Sequence, residues 1–176
     1  MVNVSPTFRA VRIIEMKSGE LILESEQWGT DLEWFASDKS GRIACFTTGG
    51  FRLLPSKVAE SRADLNVLRE YFNDLELDQG FLFCPELKNH IGNRAEADVA
   101  KIGAAYGPFS QRGLYSYDSL DQSHEVRLYF RVTLPQRELF VDELPERIKS
   151  ILETLKLTEI DFADHSLIFD NSIGKM

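Results

Sequence analysis

The chain has 176 residues, 43% of them hydrophobic and 27% charged, and its twenty Lys and Arg stand against twenty-eight Asp and Glu for a formal charge of -8. This length suits one domain over residues 1–176, and the apolar content can fill a core of its own, which excludes disordered, collagen-like and low-complexity chains. The acidic balance excludes general nucleic-acid binding and attraction to an anionic membrane, because both need a basic footprint.

In chain order, strand formers at 8–16 and 21–24 flank Lys17-Ser18-Gly19, which predicts a first hairpin. A second hairpin is expected where 32–37 and 42–48 flank Asp38-Lys39-Ser40-Gly41, with Asp opening the turn and Gly taking its left-handed position. Gly49-Gly50 ends that strand. A helix then follows from Arg62, with Leu65, Leu68, Phe72 and Leu75 on one side and Ser61 and Asp64 in a capping relation. A long connection with a short strand at 81–83 leads to a helix over 93–106, stopped by Gly107-Pro108.

The strongest periodicity lies at 124–134. There Val126, Leu128, Phe130, Val132 and Leu134 alternate with polar or aromatic neighbours, as in a strand with one face on the core, and its expected partner is 113–117. Leu144, Ile148, Ile151, Leu152 and Leu155 share a stripe of the last long helix, with Pro145 at a tolerated early position. Short strands at 160–162 and 167–169 complete the order. Hairpins interspersed with helices give an α+β class: a mostly antiparallel, twisted sheet with about three helices on one face.

Chemistry-bearing motifs fail one by one. Asp74-Leu75-Glu76-Leu77-Asp78 opens like a calcium loop, but Gln79 stands where the turn needs Gly and Pro85 where a bidentate Glu is needed. His124-Glu125 lacks the second His of a zinc-protease helix, since Leu128 holds that place, and His90, His124 and His165 have no metal-ligand spacing, so neither a metal nor another cofactor is expected. Thr47-Thr48-Gly49-Gly50 is not followed by the Lys-Ser/Thr of a phosphate loop, and no G-x-S-x-G occurs. Cys45 and Cys84 are too few and too far apart for a disulfide framework and read as reduced, buried thiols. No run approaches the roughly 18 apolar residues of a membrane helix, and the amino terminus has neither a basic nor an apolar leader region, so the expected location is the cytoplasm.

Three sets of residues remain as candidates. If 124–134 buries its even positions, Arg127, Tyr129 and Arg131 project from the other side, with Tyr115 and Tyr117 beside them, and Tyr and Arg are enriched at binding hot spots. The tract from Glu138 to Asp164 holds eight Asp and Glu against three Lys and Arg, with Asp142, Glu143 and Glu146 at the start of the last helix. Asp161, Asp164 and His165 place two carboxylates beside an imidazole, the raw material of acid/base chemistry.

The stretch Trp34-Phe35-Ala36-x-Asp38-x-x-Gly41-x-Ile43-Ala44-x-Phe46, continued by Gly49-Gly50-Phe51 and Pro55, resembles a motif that recurs in small bacterial proteins. Arg112-Gly113-Leu114-Tyr115-x-Tyr117-Asp118 and Leu144-Pro145 are similar to later parts of the same group. In size, acidity and lack of catalytic motifs that group resembles the immunity proteins of bacterial toxin systems. The resemblance implies a bacterial cytosolic protein and carries no catalytic or binding residue over to this chain. Two functional classes follow: a non-catalytic module binding another, basic protein, with homo-oligomers an open alternative, or an enzyme or small-ligand binder working around His165 with Asp161 and Asp164, or around Cys45.

Overall fold

A computed structural model describes residues 20–77, 80–91, 96–119, 128–169 and 173. In these the helices are α1 (Glu24–Gln27), α2 (Ser56–Ala59), α3 (Arg62–Asp74), α4 (Leu87–Ile91), α5 (Glu96–Gln111) and α6 (Glu146–Thr154), with a 3-10 turn at Val141–Glu143. The strands are β1 (Glu33–Asp38), β2 (Ile43–Thr47), β3 (Phe81–Phe83), β4 (Tyr115–Ser119), β5 (Leu128–Pro135), β6 (Lys156–Leu157) and β7 (Leu167–Phe169).

The β1–β2 hairpin forms as its turn residues dictate. The Asp38 carboxylate accepts the N–H groups of Ser40 at 2.9 Å and Arg42 at 2.8 Å, while Gly41 sits at φ 84. Ser61 caps α3 by accepting the Asp64 N–H at 3.2 Å, and Leu65, Leu68 and Phe72 are buried beneath it. Pro145 stands at the cap of α6, and its stripe from Leu144 to Leu155 is buried as expected.

These strands make one mixed sheet in the order β3-β5-β4-β2-β1-β6, with β7 also paired to β5. The β1–β2, β4–β5, β3–β5 and β5–β7 pairs are antiparallel, and β2–β4 and β1–β6 are parallel. The fold is α+β. Helices α3, α5 and α6 share one face, because Phe35 meets Phe72 of α3, Ser37 donates to the Leu152 carbonyl of α6, and Thr133 meets Ser110 of α5.

Several local expectations change. Residues 21–24 pair in no strand and lead into α1, with Ile22 N–H donating to the Ala59 carbonyl, and 8–16 lies outside the described residues. Helix α5 runs through Pro108 to Gln111, because burial of Phe109 and Ser110 holds its last turn. Residues 160–162 form no strand and lead into a turn at 162–164, where the Phe162 N–H goes to the Asp38 carboxylate at 2.8 Å.

The larger correction concerns the second face of the sheet, which is covered. Trp34, Phe46 and Tyr117 stack in sequence, with centroid separations of 4.2 and 5.0 Å, and Tyr129 and Phe162 meet Phe46 edge-on. Period-two alternation in β5 is therefore a change of side-chain type across two buried faces. Leu128, Phe130 and Val132 pack with Cys84 and Leu87, whereas Tyr129 joins the aromatic stack.

Candidate functional site

Tyr115, Tyr117, Tyr129 and Arg131 are buried, so they present no open surface; Arg127 lies outside the described residues. What covers the first, second and fourth of them is the loop that crosses the sheet between β6 and β7. Arg131 Nη1 donates to the Phe162 carbonyl at 2.6 Å and to that of Ala163 at 3.0 Å, and Tyr117 donates its hydroxyl to the His165 carbonyl at 2.5 Å. The Arg131 guanidinium also lies 5.8 Å from the centre of the Tyr115 ring. Residue types read as a binding face act here as anchors for a loop whose carbonyls need donors.

The three members of the proposed acid/base set are placed differently from one another. Asp161 has a buried carboxylate that accepts the Ser40 hydroxyl at 3.2 Å, the Ala163 N–H at 3.1 Å and Arg42 Nη1 at 3.3 Å. His165 turns Nδ1 to the carbonyl oxygen of Asp161 at 2.8 Å and not to a carboxylate, and Asp164 is exposed. Burial pushes the Asp161 carboxyl up, but the Ala163 N–H, Arg42, Ser40 and Lys39 outweigh it and hold the group below its ordinary value.

Arg42 is the centre of this network, and sequence reasoning missed it. Its Nε donates to Glu138 at 2.8 Å, its Nη1 reaches Asp161, and the Tyr115 hydroxyl donates to the same Glu138 oxygen at 2.5 Å. Burial first, and the bond to Glu138 next, raise the Tyr115 phenol so that it keeps its proton and acts as a donor. A single guanidinium thus ties the β1–β2 turn to two distant loops. Only the turn itself was visible in the sequence, because the pairings span 96 and 119 residues.

Both cysteines are free and buried. Burial raises each thiol, well above its ordinary value at Cys45, and Cys84 also donates to Glu86 at 2.9 Å; neither is poised as a thiolate.

Asp142, Glu143 and Glu146 are exposed at the 3-10 turn and the first residue of α6, and Glu153, Glu159 and Asp164 are exposed further along. The one exposed cation in the 138–164 tract, Arg147, pairs with Asp64 near the start of α3. Two residues away Arg62 pairs with Glu26 of α1 at 2.7 Å. These ion pairs link α6 to the start of α3 and the start of α3 to α1.

No family model, curated protein or solved structure matches this chain. Among the described residues, no helix is long and apolar enough to cross a membrane, and no three His, Cys, Asp or Glu are gathered as a metal site.

Proposed function

We propose that this chain is a non-catalytic, bacterial cytoplasmic module that binds a basic partner protein through the acidic face carrying Asp142, Glu143 and Glu146, in the manner of an immunity protein. The observation that carries it is the composition of that segment: six exposed carboxylates between 138 and 164 accompany one exposed cation, Arg147, itself paired to Asp64, and the exposed Arg137 just before the segment pairs with Glu143. Such a field draws in a positively charged partner and repels other acidic chains. The Asp161 carboxylate and the His165 ring, by contrast, are engaged within the fold, by Arg42, Ser40 and the Asp161 carbonyl.

The test is co-purification with the product of the neighbouring gene at low salt. The parent chain is expected to retain it, and a chain carrying Asp142→Lys, Glu143→Lys and Glu146→Lys together to lose at least tenfold of the retained protein while remaining folded by circular dichroism, with a melting temperature lowered only by the loss of the Glu143 bond to the Phe140 N–H and of Glu146 from the first turn of α6. Equal retention by both chains, or none by either, overturns the proposal.

A further inference from the structure

We propose that Trp28 and Phe51 form an apolar anchor that a basic partner protein covers, beside the acidic segment 20–33 that contains α1. This rests on the protein-binding function above and adds where such a partner seats. Trp28 and Phe51 are 54% and 58% exposed, although Trp34, the other tryptophan, is fully buried. They flank a junction of two loops: Trp28 precedes Gly29, Phe51 follows Gly50, and the Gly29 N–H donates to the Gly50 carbonyl at 2.9 Å. Both glycines have positive φ, 76 and 75, and a Cβ on Gly50 would stand 3.4 Å from the Gly29 carbonyl carbon. Any other residue there would be strained.

The junction is laced on either side. Thr48 Oγ1 donates to the Thr30 carbonyl at 3.3 Å and accepts the Leu32 N–H at 2.9 Å, while Asp31 accepts the Gly49 N–H at 2.8 Å. The buried Gln27 amide donates to the Ile22 carbonyl at 3.1 Å and accepts the Leu54 N–H at 2.7 Å. Backbone held this firmly on both sides of two half-exposed aromatic rings presents them preorganised, and large aromatic side chains on a fixed backbone are what interface hot spots are made of.

Charge decides the occupant. Residues 20–33 contain Glu20, Glu24, Glu26, Asp31 and Glu33 and no Lys or Arg. A second copy would bring these carboxylates against their own kind, and an anionic membrane would be repelled. Nearby cations are engaged, Arg62 by Glu26 and Lys57 by Glu60, while Arg52 lies over the Tyr129 ring. A basic protein with an apolar cleft fits both the rings and their rim.

The test places the photoreactive amino acid benzoylphenylalanine in the full chain at Phe51, at Glu146 on the acidic face, or at Leu77, an exposed apolar control, and irradiates the producing cells. The expected result is an adduct at Phe51 with a basic protein identified by mass spectrometry. Its yield falls at least tenfold with Trp28→Ala, is kept with Trp28→Phe, and does not appear at Leu77, with buried Trp34 fluorescence reporting that each variant is folded. An adduct with a second copy or with the chain's own residues 1–19, or a yield indifferent to Trp28→Ala, overturns the anchor. Adducts at Glu146 without any at Phe51 overturn the anchor and leave the protein-binding function standing; none at either position overturns both.

Discussion

Tyr129 and Phe130 are neighbours in β5 that face opposite sides of the sheet, and each is buried, one in the aromatic stack and the other beside Cys84 and Leu87. Truncation to Ala should therefore destabilise at both positions, each by about 3–5 kcal/mol. Urea denaturation of the two variants measures this; a loss at Tyr129 far below that at Phe130 would mean that one face of the sheet is open to water. Asp161 supports a second expectation. A carboxyl lowered on folding contributes fully above its unfolded pKa, near 3.9, and loses that contribution as pH falls through its folded value. Asp161→Asn should thus be less stable than the parent at neutral pH, and the two stabilities should converge below about pH 4. Parallel stability curves across that range would show that Arg42 and the Ala163 N–H do not hold the carboxylate as described.

Among the elements, those whose cause is local were legible in the sequence. The Asp38–Gly41 turn, the Ser61 cap and the stripe of α6 each lie within a few residues of what produces them. What was hidden depends on partners far along the chain. Residues 160–162 carry strand formers, yet Asp38, more than a hundred residues earlier, claims the Phe162 N–H at the start of a turn. The same holds for Tyr115, Tyr117, Tyr129 and Arg131: alternation reports that two faces differ, and only the crossing loop reveals that both are covered. Helix α5 shows the opposite case, in which a small residue does tertiary work. A Cβ at Gly107 would come within 2.5 Å of the Phe81 ring. Gly107→Ala should lower the melting temperature despite a gain in helix propensity of up to about 1 kcal/mol. In a Phe81→Ala background the same change should become neutral or stabilising, a reversal that a double-mutant cycle detects. Destabilisation in both backgrounds would place the cause elsewhere than this ring.

For the whole molecule, the charge of -8 is organised by the fold. Arg42 and Arg131 are drawn inward to hold loops, while exposed carboxylates stand on α6 and α1, two helices that ion pairs link through the start of α3. The excess of carboxylates between Glu138 and Asp164 is legible in the sequence; the link from α6 to α1 depends on the Arg147–Asp64 and Arg62–Glu26 pairs, which only packing creates. A surface of this kind acts mainly on the rate of encounter, and its action is screened over a Debye length of about 10 Å at 0.1 M salt. The direct measurement is the association rate constant with the neighbouring-gene product across ionic strength, for the parent chain and for the chain with Asp142→Lys, Glu143→Lys and Glu146→Lys. The expected result is a parent rate that falls steeply with salt and a triple variant that is slow throughout, with dissociation rates little changed; an association rate indifferent to both salt and the three substitutions would contradict the account.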